Sequence, residues 1–202
     1  MNRNSLTRFL LPLMFQVALI CAIPAQAIYT HLTGSRVVLQ TIPIDPYDLL
    51  RGYSQTLRYD ISRLESVKTL SGWETVVRQT HRENNQFPPT GTTLYVILQA
   101  PKTENQGNSP TPWSAIAVRH EPPVNLGNNQ VAIKGELNDS WIDYGLERYY
   151  FPEEQREEIN EKINRLQENN NQEQSFVVEV KVDEAGKAVP VSLWLGQDNY
   201  RF

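Results

Sequence analysis

Two short stretches carry the residue types that could do chemistry, and the first is DPYDLLRGY at positions 45–53. Its two carboxylates could bind a cation, but a calcium loop needs further acidic ligands at close spacing, which this stretch lacks. Asp45 can instead cap a helical turn that Gly52 ends in the left-handed conformation. We therefore predict a compact helical connection between two strands, which leaves Arg51 and Tyr53 as candidate binding residues.

The second stretch is GLERYYFPE at positions 145–153, which has the alternation of a strand. In a strand Glu147 and Arg148 point to opposite faces, so at least one charge is directed toward an aromatic, partly buried face. A buried charge needs a partner. We expect Glu147 to pair with Arg51 or Arg58 and so to hold the sheet together. Contact of Glu147 and Arg148 with a small ligand is the alternative.

Other catalytic and ligand-binding patterns are absent from the sequence. The three histidines lack the spacing of metal ligands, and there is no glycine-rich phosphate loop and no GxSxG elbow. We therefore predict no metal site and no cofactor, and we favour a non-enzymatic role. A serine–lysine pair is set by space and not by spacing, so a serine hydrolase is the rival interpretation.

The charge balance argues against nucleic acid as a partner. The 202 residues carry a formal charge of −4, and the only charged residues before Ala27 are Arg3 and Arg8. The rest of the chain therefore holds 17 of the 19 Lys and Arg residues against all 23 Asp and Glu residues. Binding to nucleic acid needs a basic patch that neutralises phosphates, which an acidic body does not provide.

The N-terminal segment has the pattern of an export signal, with a basic start up to Arg8 and an uncharged apolar run at 9–23. Two interpretations follow. Either Ala25-Gln26-Ala27 is a signal-peptidase site and the body is secreted after cleavage near Ala27, or the helix continues to about Leu32 and stays as a membrane anchor. Both place the body outside the cytoplasm, in a periplasm or lumen.

We divide the chain into this N-terminal segment, residues 1–32, and an extracytoplasmic domain, residues 33–202. Cys21 is the only cysteine and lies in the apolar run, so disulfides within the domain are excluded. A body of about 170 residues can bury a core that is stable without them. Ile20 is bulkier than lipoprotein processing favours, which argues against a lipid on Cys21.

The body mostly follows the two-residue period of β-strands and changes to a helical period near its end. Strands are predicted at 36–44, 55–62, 91–99, 113–120, 130–137, 141–151, 176–182 and 188–195. A surface helix with a narrow apolar stripe is predicted at 152–166, and residues 67–79 fit either a short helix or a turn. Pro190 indicates that the last strand lies at an edge or contains a bulge. The predicted fold class is α+β: a β-rich antiparallel sheet or barrel-like domain with one surface helix, preceded by an N-terminal apolar helix.

Two motifs at fixed places give the chain a family resemblance. An apolar helix, then Gly34 with VVLQTIPIDPYDLLRGYSQTLRYDIS, then YGLERYYFPE resembles the bacterial membrane-associated GDYXXLXY proteins. The name-giving motif aligns with residues 52–59, where Tyr53 replaces the family's aspartate and Ser54 its first tyrosine. The residues that are kept are Gly52, Leu57 and Tyr59. The resemblance implies membrane association and supplies no biochemical activity; we include Tyr59 among the candidate binding residues.

These features together predict a membrane-tethered extracytoplasmic module that binds or assembles with an envelope or membrane protein. The N-terminal helix then has the membrane itself as its partner. A membrane-tethered serine hydrolase and a small-ligand binding domain are the alternatives. The sequence identifies no ligand and no oligomeric state.

Overall fold

The architecture comes from a computed structural model that describes residues 3–42, 54–80, 87–103, 109–150, 156–168 and 176–201. The predicted helical connection at 45–53, with Arg51 and Tyr53, lies outside these residues. The elements in chain order are α1 (Arg3–Thr33), β1 (Ser35–Gln40), β2 (Ser54–Thr56), a 3₁₀ turn (Asp60–Ser62), α2 (Leu64–Lys68), α3 (Trp73–Thr80), β3 (Thr93–Gln99), β4 (Ser114–Arg119), β5 (Gln130–Asn138), β6 (Trp141–Asp143), β7 (Arg148–Tyr150), α4 (Arg156–Glu168), β8 (Phe176–Val182), β9 (Ala188–Leu195) and β10 (Asp198–Arg201).

The strands form two four-stranded antiparallel sheets and one two-stranded ribbon. The first sheet has the order β1-β8-β9-β10, the second has the order β4-β3-β5-β6, and the ribbon pairs β2 with β7. The α+β class with antiparallel sheets is therefore confirmed. Across the described part of the chain the sheets are open, so the barrel-like alternative is wrong.

One hydrophobic core takes side chains from both sheets. Every second residue of β3 from Leu94 to Leu98 points into this core, while Tyr95 and Ile97 point to the other face, as the strand period requires. Both sets are buried, so β3 is covered on its two faces. Tyr95, Ile97 and Ala132 form a smaller apolar group on the outer face of the second sheet, which we call the outer-face cluster.

Two predicted strands are too long. The strand at 141–151 is divided, because β6 ends at Asp143 and β7 begins at Arg148. Gly145 lies between them with a φ of 74°, a left-handed conformation that interrupts a strand. The strand predicted at 55–62 also ends early: β2 ends at Thr56, and a 3₁₀ turn begins at Asp60. Alternation of apolar and polar residues continues through both breaks, so the pattern alone overestimates strand length.

Five other strands, β3, β4, β5, β8 and β9, lie where the sequence predicts them. β1 covers only the first part of the strand predicted at 36–44, whose last two residues lie outside the described ones. β9 lies between β8 and β10, so it is an interior strand. The register between β9 and β8 shifts beside Pro190: Glu179 pairs with Ser192, and the next residue of β8, Val180, pairs with Pro190. One residue of β9 is therefore left over, which is a bulge. Of the two alternatives for Pro190, the bulge is confirmed and the edge position is wrong. The four-residue β10 was not predicted, because so short a strand carries little pattern.

The predicted surface helix is present as α4, which the structure describes from Arg156; its predicted start at Pro152 lies outside the described residues. Ile159 and Ile163 are buried against the core, as the apolar stripe predicts. Residues 67–79, undecided between helix and turn, contain the end of α2 and most of α3.

The N-terminal helix α1 contains Pro12 and Pro24. No straight helix in the described residues is both long and apolar enough to cross a membrane; two parts of α1, Arg8–Ala22 and Pro24–Thr33, meet that test only as a pair bent by 44°. Proline lacks the backbone N–H and clashes with the preceding turn, which accounts for the bend.

Candidate functional site

The two motif segments meet in the ribbon of β2 and β7. The strands pair antiparallel along all three of their residues. The contact continues one step further, where the Leu57 N–H donates to the Glu147 carbonyl over 2.8 Å. Leu57 is itself buried in the main core. The name-giving motif and the YGLERYY segment are therefore the two sides of one ribbon.

A pair of buried tyrosines lies at the end of this ribbon. Tyr59 and Tyr149 are almost fully buried, and their hydroxyls hydrogen-bond to each other. The Tyr59 hydroxyl donates to the Leu146 carbonyl over 2.9 Å, so the shared bond takes its proton from Tyr149. Burial raises the pKa of both phenols well above the ordinary value of tyrosine. Both hydroxyls therefore stay protonated at neutral pH and act as structural donors.

A third buried tyrosine, Tyr144, extends the group. Its hydroxyl donates to the Ile61 carbonyl over 2.8 Å, and burial raises the pKa of this phenol as well. Its ring lies against Gly135, where a Cβ would come within 2.8 Å of a ring carbon. Glycine is therefore required at position 135 for space. We call Tyr59, Tyr144, Tyr149 and Glu147 the tyrosine cluster.

Glu147 belongs to this cluster at the turn around Gly145. Its carboxylate accepts the Tyr144 N–H over 2.6 Å and also accepts the N–H groups of Leu146 and of Glu147 itself. Burial raises the pKa of the carboxyl group, and the three N–H groups oppose that rise. The side chain thus satisfies the backbone donors of a tight turn, which is a structural task.

The expected arginine partner of Glu147 is not found among the residues that the structure describes, where no arginine lies within ion-pair distance of it. The Arg58 guanidinium lies instead over the Trp141 ring, 4.2 Å from its centroid. Arg148 points to solvent from β7. Of the predicted site residues within the described ranges, the structure therefore brings together Tyr59 and Glu147 and separates Arg148 from them.

One described serine, Ser62, bears on the serine hydrolase alternative. It is buried, and its hydroxyl oxygen accepts the Tyr59 N–H over 3.3 Å. A nucleophilic serine must reach its substrate from an open site. Ser62 is therefore committed to the turn that carries Tyr59.

Sequence reasoning missed a loop between β4 and β5 that separates two clefts. We call residues Glu121–Leu126 (EPPVNL) the PPV loop; Leu126 packs on the outer-face cluster, whereas Val124 is 92% exposed. A cleft of about 630 Å³ lies between the loop and α3, and one of about 260 Å³ lies between the loop and α1. Pro122 and Pro123 line both. The uncharged run PPV was the available signal, and it has no periodicity that a search for strands and helices would detect.

The C-terminal part of α1 is fastened to the body by one carboxylate, which we call the Asp183 joint. Asp183 is buried, and its Oδ2 accepts the Thr30 hydroxyl over 2.7 Å and the Gln26 amide over 2.9 Å. Its Oδ1 accepts the N–H groups of Ala185 and Lys187 in the turn between β8 and β9. One side chain therefore caps a turn with one oxygen and holds α1 with the other.

Close backbone packing strengthens this joint at Gly34, the residue between α1 and β1. The Gly34 N–H donates to the Thr30 carbonyl over 2.8 Å. A Cβ at this position would lie 2.5 Å from that carbonyl oxygen and 3.0 Å from the backbone of Val182. Any side chain there would force the helix away from β8.

A third cleft, of about 760 Å³, lies at the other end of β5 and is lined by aromatic and cationic side chains. Lys68 lies over the Phe87 ring, 4.5 Å from its centroid, and is paired with Glu65 over 2.5 Å. Trp141 is already covered by Arg58. Lys68 is therefore engaged by both Glu65 and Phe87.

No three His, Cys, Asp or Glu side chains of the described residues come together in a way that could hold a metal ion. No curated protein and no solved structure matches the chain. The family model described as GDYXXLXY protein matches residues 16–193, a span that includes the ribbon, the tyrosine cluster, the PPV loop and the Asp183 joint. Since the match covers most of the sequence, and since both segments that suggested the resemblance pair in one ribbon, this chain belongs to the GDYXXLXY protein family.

Proposed function

We propose that the chain is a membrane-tethered extracytoplasmic module that is not an enzyme and that binds an envelope or membrane protein. The observation that carries the proposal is the exposed apolar surface of α1, which extends from Phe9, 67% exposed, to Leu32, 71% exposed. Soluble monomers rarely leave a contiguous apolar patch of this extent in water. A lipid bilayer around α1 would cover it.

The Asp183 joint supports an anchor that is retained over one that is cleaved. The two donors that α1 gives to Asp183 are Gln26 and Thr30, which lie on either side of the bond after Ala27. Cleavage there would remove Gln26 and reduce the last turns of α1 to a short free end. Losing a hydrogen bond to a buried carboxylate costs about 1.5–3 kcal/mol, so the intact chain is the more stable arrangement.

The cleft between the PPV loop and α3 supports the binding part of the proposal. Its floor is the outer face of the second sheet, where Ile97 is buried and Ile116 is 39% exposed. Polar side chains surround this floor, among them Gln79, Arg119 and Gln130. An apolar centre with a polar rim is the usual composition of a protein-binding surface.

Two measurements test the tether. The intact mass of the protein purified from membranes should correspond to a chain that keeps its N-terminal segment and not to one that begins at Ile28. The native Cys21, the only cysteine of the chain, should resist a membrane-impermeant maleimide in intact cells and react after detergent is added. Glu184→Cys in a Cys21→Ser background is the control, since residue 184 is exposed on the body. Equal labelling of both positions without detergent would refute the tether.

Site-specific photocrosslinking tests the partner. A crosslinker at Ile116, on the floor of the cleft, should capture one membrane protein in stoichiometric amount from native membranes. The same crosslinker at Ser140, beside the third cleft, is the matched control. Capture of no defined protein at Ile116 would count against a binding module. Labelling by a serine-reactive probe that one serine substitution abolishes would instead establish the hydrolase alternative.

A further inference from the structure

The tip of the PPV loop is unusual among the apolar side chains of the described body. Val124 is 92% exposed, more than the neighbouring Ile116 at 39% or Phe87 at 47%. A single exposed apolar residue is ordinary and needs no explanation. The position of the PPV loop relative to α1 is what gives this exposure a meaning.

The PPV loop and the end of α1 face each other across the smaller cleft. Tyr29 and Thr33 line it from α1, while Pro122 and Pro123 line it from the loop. The cleft holds about 260 Å³, so its walls are close together. Pro122 and Pro123 therefore lie beside the last turn of α1, between Tyr29 and Thr33.

That position is fixed, because α1 does not join the body through a flexible linker. Asp183 binds Gln26 and Thr30, and Gly34 allows backbone contact with both Thr30 and Val182. β1 then begins at Ser35, one residue beyond. A change in the tilt of α1 would break these contacts, so the helix and the loop move as one unit.

The last turn of α1 lies at the bilayer surface when α1 spans the membrane. At about 1.5 Å per residue, the path of α1 from Arg8 to Tyr29 is roughly 30 Å long, about the thickness of the hydrocarbon core, and the 44° bend shortens the distance between its ends only slightly. With Arg8 at the inner boundary, Tyr29 reaches the outer one, where tyrosine side chains are enriched. The PPV loop beside Tyr29 then meets the headgroup region.

We infer that the PPV loop is a second membrane contact, in which Val124, with Pro122 and Pro123, enters the boundary between headgroups and acyl chains of the leaflet from which α1 emerges. This inference rests on the tether proposed above. The loop would fix the body against the bilayer by a second point, and the cleft toward α3 would open just above the lipid surface, where a membrane protein can reach it.

The chemistry of the loop favours lipid as the occupant. Beyond Glu121 at its start, the PPV loop carries no charge, and two of its residues are prolines that have no backbone N–H to desolvate. Groups that enter the interface cost least when they are apolar and have few unsatisfied donors. Binding by an uncharged tip does not depend on anionic headgroups, so it should persist in zwitterionic lipid at high salt.

The test uses the full chain reconstituted in phosphatidylcholine vesicles, with one environment-sensitive fluorophore at a time. Three single-cysteine proteins are compared: native Cys21, Val124→Cys in a Cys21→Ser background, and Ser140→Cys in the same background. Ser140 is exposed and follows the end of β5 that is remote from the PPV loop. At about 3.3 Å per residue, the two ends of β5 lie roughly 26 Å apart. Lipids with a nitroxide near the headgroup or deep in the acyl chain serve as quenchers.

The label at residue 124 should show a blue-shifted emission and stronger quenching by the shallow nitroxide than by the deep one. The label at Cys21, about 12 Å of helix below Tyr29, should show the opposite order, and the label at residue 140 should show neither effect. A label at 124 that behaves like the one at 140, while Cys21 is quenched, overturns the loop contact and leaves the tether intact. An unquenched Cys21 refutes the tether itself.

A protein partner at the loop gives a different result. In that case the label at residue 124 would shift its emission in native membranes and not in vesicles of pure lipid. That outcome overturns the lipid contact as well. Val124→Asp in the full chain provides a second measurement: it should weaken shallow quenching of a label at Asn125→Cys in the Cys21→Ser background while thermal unfolding of the body stays unchanged.

Discussion

The tyrosine cluster and the Asp183 joint are two buried polar groups that hold different things together. The cluster connects two segments of the body through the Tyr59 and Tyr149 hydroxyls, and the residues around it belong to the main core. The joint connects the body to α1 through the two oxygens of Asp183. Both satisfy their polar atoms, as buried polar groups must.

The difference concerns what each can do beyond folding. The Tyr59 and Tyr149 phenols are protonated, buried and bonded to each other, so the name-giving motif secures the fold. The joint is placed where α1 leaves the body, and Asp183 lines the smaller of the two clefts beside the PPV loop. A family motif can therefore mark the most constrained part of a fold, while the surface that we propose to bind a partner lies elsewhere.

Removing a ring from the tyrosine cluster should have the largest effect. Tyr149→Ala leaves a cavity in the core and removes the donor to Tyr59, so the free energy of unfolding should fall by about 3–5 kcal/mol. Thermal unfolding followed by circular dichroism in micelles measures the change. Tyr95→Ala, on the outer-face cluster and without this network, should cost less. An equal loss for both variants would show that ring burial alone matters.

Breaking the Asp183 joint should release α1 from the body while the body stays folded. Asp183→Asn keeps Oδ1 for the turn but replaces the acceptor Oδ2 by an amide that cannot accept from Thr30, at a cost of about 1–3 kcal/mol. The distribution of distances between spin labels at Cys21 and at Ser140→Cys, measured by double electron–electron resonance, should then broaden. Glu184→Gln, the exposed neighbour, should leave the distribution unchanged. A narrow distribution in Asp183→Asn would mean that packing alone fixes the helix.

The pKa of Glu147 predicts a smaller, pH-dependent effect within the cluster. Burial raises the pKa in the folded state above 4.5, so the folded protein binds its proton more tightly than the unfolded chain does. The contribution of Glu147 is therefore most favourable below the unfolded pKa and declines as pH rises from there through the folded pKa. Glu147→Gln should flatten the decline in thermal stability between the unfolded and folded pKa values. Glu136→Gln, at an exposed residue of β5, should not. Identical slopes in Glu147→Gln and wild type would contradict the assignment.

Regular alternation made most of the sheet predictable from the sequence. β3, β5 and β8 each follow the strand period and lie where that period predicts them. The break at Gly145 was not predictable, because it depends on Glu147 folding back onto three backbone N–H groups. The alternation of residues 145–153 had predicted that the Glu147 carboxylate lies on one face of a strand. In that position the carboxylate would have needed an arginine as its partner.

The joint was also beyond local pattern. The turn between β8 and β9, which is local in sequence, uses only one oxygen of Asp183. The other oxygen meets donors 153 and 157 residues away in sequence. Separations of this size are set by how α1 packs on β8 and β9, and neither composition nor periodicity encodes that packing. The same holds for the PPV loop, whose meaning depends on the end of α1 beside it.

The smallest expected effect separates the two regions most directly. Arg148 belongs to the second motif yet points to solvent, so Arg148→Ala should change the free energy of unfolding by less than about 0.5 kcal/mol. If the motif contributed a binding surface, this variant would reduce the partner captured by the crosslinker at Ile116. We expect capture to be unchanged, because the cleft at Ile116 is lined by the PPV loop and α3 and not by β7. Gln79→Ala, in that lining, is the matched variant that should reduce it. If Arg148→Ala lost capture while keeping normal stability, the exposed side of β7 would belong to the partner-binding surface. The second motif would then have a binding role in addition to its role in folding.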